Sequence, residues 1–304
     1  MQSIKVIRGE NNSRFPCCTS LLVDGGDLVA VIDPGAGVKA LQAACEKKHV
    51  DLVVNTHYHF DHINCNHLFS ETKLLLNPLE AACFSDLANV GKLLGIREYY
   101  GDNGVTAWID NVKNPQTKQT PFSPSCRHEW WLSTRTNAGE YAYDQDWFIG
   151  KVKVIMVHTP GHTQGLCCPY FPDEGVVYTG DIDLTSFGPW YAGTDGDIDS
   201  FIQSARLIAS LNADHFITGH QEGVFSRSEF QKRLDRFINI IEERQQRLIK
   251  LLESGVTPED VPSHGLIYPP KYHVDPWVKM WEGITVRKHY ERLQHQWDGY
   301  REPQ

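Results

Sequence analysis

Within the segment Thr56-His57-Tyr58-His59-Phe60-Asp61-His62, three histidines and one aspartate fall inside six residues. Imidazole nitrogens and carboxylate oxygens are the ligands of zinc and similar divalent ions. Side chains two apart in an extended segment project to the same side, so His57 and His59 are placed to grip one ion together. Asp61 and His62 lie beyond, where the chain turns toward a helix, and are placed to reach a second ion beside the first. Three further residues complete two coordination spheres: His162 in Thr-Pro-Gly-His-Thr, Asp181 in Thr-Gly-Asp and His220 in Thr-Gly-His. Each directly follows an apolar run that reads as a strand. One His-x-His pair is a weak signal, and each of the later residues alone reads as a loop residue. The full string, joined by ligands from several strand ends, points to a metal centre.

The elements that must position these residues are legible in part. Residues 3–8 read as a strand, and residues 19–23 and 28–32 as a hairpin around Asp24-Gly25-Gly26-Asp27. Residues 38–48 have helical spacing, and 51–55 form the strand that delivers the chain to His57. Residues 74–76, 151–157, 165–171, 175–179 and 216–217 read as further strands, with a helix over 197–211. A long amphipathic helix is expected over 226–253, opened by Ser226 and Glu229 at capping-box spacing, and shorter helices over 258–295. Residues 79–94 read as helical. From there to Trp147 the chain mixes Gly, Pro, Asn and Thr with aromatics and reads as having little regular structure. The domain reading is therefore 1–225, carrying a lid-like insertion at 79–147, and a helical C-terminal subdomain at 226–304.

The arrangement of motifs resembles the metallo-β-lactamase-fold metal-dependent hydrolases. Residues 56–62, 159–163, 179–181 and 218–220 match that family's motifs in order, and Asp33-Pro34-Gly35 is similar to its early Asp-x-Gly element. The resemblance implies an α/β fold, a four-layered αββα sandwich with the metals at one edge, here with a C-terminal helical appendage. It implies that His57, His59 and His162 hold one ion, that Asp61, His62 and His220 hold the other, and that Asp181 bridges them. Two divalent ions are implied as cofactors, zinc first, with iron or manganese also compatible. A metal-bridging hydroxide would attack an ester, thioester, lactone or phosphoester, with Asp61 and Asp181 as the catalytic carboxylates.

The residues also sort the branches. True β-lactamases of the first class carry cysteine where Asp181 stands. Flavo-diiron reductases usually have glutamate where His59 stands. Lactonases place a catalytic tyrosine where Leu184 stands. Glyoxalase II-like thioesterases and persulfide dioxygenases share the motifs around His162 and Asp181, which makes the glyoxalase II-like branch the expected one. Their Gly-Cys-Gly-Arg-type continuation, however, is replaced here by Ile182-Asp183-Leu184-Thr185. A mononuclear iron oxidoreductase of the persulfide-dioxygenase type and an endoribonuclease of the same fold are the alternatives.

Phe187, Trp190 and Tyr191 are expected on the substrate pocket wall, and the 79–147 aromatics are expected to fold over the site against Trp190 or Tyr191. Cys126, His128 and Glu129 read as a structural triplet. Cys17-Cys18 and Cys167-Cys168 read as strand residues whose adjacent side chains diverge, so neither pair chelates one ion.

Composition narrows the partners. The chain has 304 residues and a formal net charge of -9, with its acidic excess before the C-terminal region. The absence of a long Lys/Arg cluster argues against nucleic acid as a partner. No apolar run has the length of a membrane span. A small-molecule substrate is expected, and oligomeric state is left open, a homodimer included. The first ten residues lack the apolar segment of a signal peptide, so cytoplasmic residence is the expectation.

Overall fold

A computed structural model describes residues 2–118, 127–135, 138–221 and 223–301. Two six-stranded sheets form its centre. The first runs in sequence order: β1 (Ile4–Ile7), β2 (Ser20–Asp24), β3 (Val29–Ile32), β4 (Leu52–Val54), β5 (Lys73–Leu76) and β6 (Gly139–Glu140). The second is β7 (Asp146–Ile149), β8 (Val152–His158), β9 (Cys167–Phe171), β10 (Val176–Gly180), β11 (His215–Thr218) and β12 (Val224–Ser226), likewise in order. Period-two alternation sends Leu21 and Val23 of β2 toward the second sheet and Leu22 to the outer face. The inner faces meet through Leu21, Ile32 and Val54 from one sheet and Val154, Met156, Tyr178 and Ile217 from the other.

Helices cover both outer faces. Val38–Cys45 lays Leu41 on the first sheet against Leu22 and Val31. Ile198–Ser210 and Arg227–Glu253 cover the second, with Phe201, Ala205, Phe230 and Phe237 packed on Val177 and Phe216. Their starts are fixed locally: Asp197 accepts from the Ser200 N–H at 2.7 Å, and Ser226 accepts from the Glu229 N–H at 3.4 Å. The result is the expected four-layered αββα sandwich. Among the described residues no helix is long and apolar enough to cross a membrane.

Direction decides where the loops gather. β9 is antiparallel to both β8 and β10, and β10 is parallel to β11. The C-terminal ends of β8, β10 and β11 therefore lie at one edge. β3 and β4 are parallel and bring their own C-terminal loops there from the first sheet. The Thr56 carbonyl accepts from the Cys167 N–H at 3.1 Å, and the Gly219 carbonyl from the Thr19 N–H at 2.6 Å, stitching the sheets together at that edge.

Three expectations need correction. The stretch after residue 94 is not irregular: it holds a helix, Ile96–Lys113, kinked at Gly101, and a shorter one, Glu129–Ser133. Val105, Trp108 and Val112 lie at helical spacing, but Gly101 and Gly104 interrupt the run. The helix is secured by tertiary packing rather than propensity, since Trp108 sits edge-on to Trp130 at 5.7 Å between ring centroids. The C-terminal region is not a set of short helices. After single turns at Val261–His264 and Pro270–Tyr272 it forms one helix, Pro276–Arg301. At Gly283, inside that helix, the Tyr99 side chain of Ile96–Lys113 packs directly against the backbone in the space a Cβ would fill. Met280, Trp281 and Ile284 share one core with Val90, Leu94, Trp108 and Trp130. Cys17 and Cys18 precede β2 rather than lying in a strand, whereas Cys167 and Cys168 do diverge to the two faces of β9.

Candidate metal centre

The strand ends bring all seven proposed side chains together, and their ligand atoms fall into two adjoining groups. His57, His59, His162 and Asp181 present atoms all within 4.8 Å of one another, and so do Asp61, His62 and His220. Asp181 stands between the groups with its two oxygens divided. Oδ2 lies 3.0 Å from His162 Nε2 and 4.0 Å from His57 Nε2. Oδ1 lies 2.8 Å from His62 Nε2 and 3.4 Å from His220 Nε2. Asp61 Oδ2 approaches His220 Nε2 at 3.1 Å.

Local structure aims each residue. A register shift in the β10–β11 pairing between Tyr178 and Gly180 tilts the end of β10 just before Asp181. His162 follows Gly161, whose φ of +130° lets the loop lie directly on the Phe201 backbone, where a Cβ would sit 2.2 Å from the Phe201 nitrogen. Most of the histidines are turned by their far nitrogen. His162 Nδ1 meets the Trp190 carbonyl at 2.8 Å, His220 Nδ1 the Ser13 carbonyl at 3.0 Å, and His57 Nδ1 the Thr56 hydroxyl at 3.0 Å. His62 Nδ1 meets Asp33 Oδ2 at 2.7 Å. Fixing the outer nitrogen in this way sets which lone pair faces inward.

The donor set fits a divalent cation. The inward Nε2 atoms of His57 and His62, and Oδ1 of Asp181, are buried without a hydrogen-bond partner. His59 Nδ1 and His162 Nε2 face each other at 2.7 Å, a separation at which two bare lone pairs repel unless a proton or cation is shared. Buried polar atoms are rarely left unpaired. The electrostatics agree. Burial, chiefly, together with neighbouring imidazoles, holds His57 and His59 well below the usual histidine range. Burial also opposes charging His62 and His220, yet Cys18, Asp181 and Asp33 raise His62 above that range, and Asp181 and Asp61 raise His220. Asp181 itself stays ionised despite its burial because His62, His162 and His220 surround it. At His62 and His220 negative charge outweighs the desolvation of the imidazoles, which favours a cation on that side.

A cavity of about 270 Å³ opens onto His59, Asp61, His162 and Asp181. Phe187 and Trp190 line it, as does Trp130 from the 79–147 segment. Tyr191 does not, which corrects the expectation for it. Neighbouring residues in this loop point opposite ways, and the Tyr191 hydroxyl is buried against His289 at 2.8 Å and Arg244 at 3.1 Å. His128 Nδ1 is engaged by the Val112 carbonyl at 3.2 Å; Cys126 lies outside the described residues.

A model of the metallo-beta-lactamase superfamily matches residues 17–73 and 148–220, the two blocks that carry every ligand named above. Over those two blocks, which together make up less than half of its length, the chain resembles that superfamily. Residues 74–147 and those after 220 fall outside the match. An uncharacterized protein of Aquifex aeolicus is 27% identical over 198 residues, 63% of this chain and 78% of its own length. The mitochondrial hydroxyacylglutathione hydrolase of Saccharomyces cerevisiae is 25% identical over 186 residues, 59% of this chain and 50% of the yeast enzyme. In structure, a metallo-beta-lactamase family protein from Thermus thermophilus superposes with a TM-score of 0.66 over 97% of this chain and 95% of that one, at 17% identity. That likeness concerns the fold.

The sequence reading missed the residues that steady the His162 side. Arg244, buried in the Arg227–Glu253 helix, donates to the Pro189 carbonyl at 2.6 Å and to the Phe187 carbonyl at 2.7 Å. Lys288 donates to the Tyr191, Gly193 and Gly196 carbonyls. Together they fix the loop whose Trp190 carbonyl orients His162. No local pattern announces such contacts, because the partners are about fifty to a hundred residues apart. Arg244→Met should remove the donor from the Pro189 and Phe187 carbonyls and the Tyr191 hydroxyl, at about 1–3 kcal/mol for the buried Pro189 carbonyl. It should also weaken metal retention by roughly 10-fold or more. Thermal unfolding with metal content after dialysis against a chelator checks this. A destabilised variant that keeps wild-type metal affinity would restrict Arg244 to a purely structural role.

Proposed function

We propose that the protein is a binuclear metal-dependent hydrolase of an ester, thioester, lactone or phosphoester. The division of the Asp181 oxygens between two donor groups carries this reading. His57, His59 and His162 would hold one ion; Asp61, His62 and His220 the other; Asp181 would bridge. Zinc is the first expectation, and iron or manganese suits the same donors. Divalent ions bound there would lower the pKa of a shared water toward neutrality and polarise the bond to be cleaved.

The chain's own residues supply the remainder. Asp61 lies on the cavity wall, where its carboxylate accepts a hydrogen bond from an attacking water and orients it. His220 Nε2, 3.1 Å away, keeps that carboxylate aligned. Trp130 and Trp190 exclude bulk water from the cavity, and the 79–147 segment acts as a lid by contributing Leu94 and Trp130 to its wall. The yeast relative's name supports thioester cleavage as one member of the substrate range.

Metal analysis of protein purified without added ions, followed by a panel of ester, thioester, lactone and phosphodiester substrates, tests the proposal. About two equivalents of transition metal per chain are expected, since seven ligands with one bridging suffice for two ions. A single tightly held iron, with consumption of dioxygen, would instead establish an oxidoreductase.

A further inference from the structure

We infer that the substrate carries an uncharged hydrophobic group, aromatic or medium-length aliphatic, of about ten non-hydrogen atoms beside the bond that is cleaved. The inference rests on the hydrolase reading above and names the substrate class for the same site. Apart from the four candidate ligands His59, Asp61, His162 and Asp181, every described residue lining the cavity is hydrophobic. The walls are drawn from along the chain: Phe15 and Phe60, then Leu94 and Trp130, then Phe187 and Trp190, then Tyr268 and Trp281.

Tryptophan can present an N–H donor as well as a ring, so the fate of each indole matters. All three are already committed within the protein. Trp130 Nε1 points to the Tyr58 carbonyl at 3.5 Å, Trp190 Nε1 donates to the Tyr268 hydroxyl at 2.7 Å, and Trp281 Nε1 donates to the Leu94 carbonyl at 3.2 Å. What faces the cavity is ring surface. No lysine or arginine is among its described lining residues. A carboxylate or ammonium on the far end of a substrate would lose its water there and find no oppositely charged lining residue beyond the four candidate ligands. An acyl chain or aryl ring loses no hydrogen bonds and gains burial. At roughly 30 Å³ per water, a cavity of about 270 Å³ displaces about nine waters, which sets the size of the group. A cationic group would meet aromatic faces, but it would also meet the field of the ions the site is built to hold.

Cleavage of such a substrate is simple hydrolysis. Water's oxygen ends on the acyl carbon as the acyl–oxygen or acyl–sulfur bond breaks, and its second hydrogen ends on the departing alcohol or thiol. No oxidant or reductant enters.

Binding can be tested without turnover, through the intrinsic fluorescence of the full chain, since three tryptophans line the cavity. The probes are benzamide, 4-phenylbutanamide and 4-phenylbutylammonium. Each buried methylene should tighten binding about fourfold, so 4-phenylbutanamide should bind tens of times more tightly than benzamide. The ammonium should bind at least about tenfold more weakly than 4-phenylbutanamide. Phe187→Asp, at a ring that is 41% exposed and so tolerant of change, should weaken the amide and strengthen the ammonium. Ammonium binding tighter than amide binding in the wild type would overturn the inference in favour of a cation cage. Turnover of short acetyl esters without saturable 4-phenylbutanamide binding would overturn the substrate class and leave the hydrolase intact. Amide binding as expected, with no turnover across the panel, would support the pocket chemistry and defeat the hydrolase reading.

Discussion

Asp181→Ala is expected to lower kcat/KM by about 10³-fold or more, corresponding to roughly 4 kcal/mol of transition-state stabilisation. It should also cut bound metal toward one equivalent while the fold persists. The argument is geometric. Among the described residues no other carboxylate turns one oxygen toward the His57, His59 and His162 group and the other toward His62 and His220. Without it, His62 and His220 lose the carboxylate that approaches both of their inward nitrogens. The fold should survive because the two sheets meet through Leu21, Ile32, Met156 and Tyr178, none of which depends on Asp181. Circular dichroism, metal content by emission spectroscopy and steady-state kinetics on the best panel substrate together decide it. A variant with two equivalents of metal and an unchanged rate would defeat the bridging role.

What the sequence disclosed follows from how close the informative residues lie in the chain. His57, His59, Asp61 and His62 are neighbours, so their types and spacing were readable together. His162, Asp181 and His220 were readable because each follows an apolar strand and sits beside a glycine that shapes its loop. The sandwich followed from strand alternation in residues such as Leu21, Leu22 and Val23. The walls of the site were less legible. Trp281 and Tyr268 reach the cavity only because Pro276–Arg301 and the turn before it pack on a core shared with Leu94 and Trp130, contacts that span well over a hundred residues. Adjacent aromatics also cannot be told apart by type: Trp190 faces the cavity while Tyr191 turns into the His289–Arg244 network. The helix at Ile96–Lys113 was hidden because its glycines break the pattern that Val105, Trp108 and Val112 maintain.

Asp33 is where a residue visible only as part of an early motif acquires a role from structure, and Asp33→Asn is expected to separate metal binding from stability. The side chain is fully buried, on a backbone with φ of +48°, a left-handed conformation that aspartate tolerates better than most residues. Its Oδ1 accepts from the Thr56 N–H at 2.7 Å, and its Oδ2 accepts from the Thr56 hydroxyl at 2.6 Å and from His62 Nδ1 at 2.7 Å. Both oxygens are thus occupied, which makes Asp33 a support for His62 rather than a ligand. An asparagine must keep its oxygen toward the Thr56 N–H and so turns its NH2 toward His62 Nδ1. The Thr56 hydroxyl then turns its proton to His57 Nδ1 at 3.0 Å, which puts the His57 proton on Nε2, facing the metal position. His62 cannot accommodate the turned NH2 without cost to the site either. With Nδ1 now accepting, its proton moves to Nε2, which faces Asp181 Oδ1 at 2.8 Å, where a metal would bind. Asp33→Asn should therefore retain most of the stability of the chelator-treated protein, yet hold metal on both the His57 and the His62 sides about 10–100-fold more weakly, with turnover falling in parallel. Asp33→Ala should lose both, because Thr56 and His62 donors are then orphaned at about 1–3 kcal/mol each. Thermal unfolding in chelator and competitive metal titration of the two variants distinguish these outcomes. If Asp33→Asn binds both equivalents with wild-type affinity, the orientation of His62 does not depend on Asp33 and the tautomer argument fails.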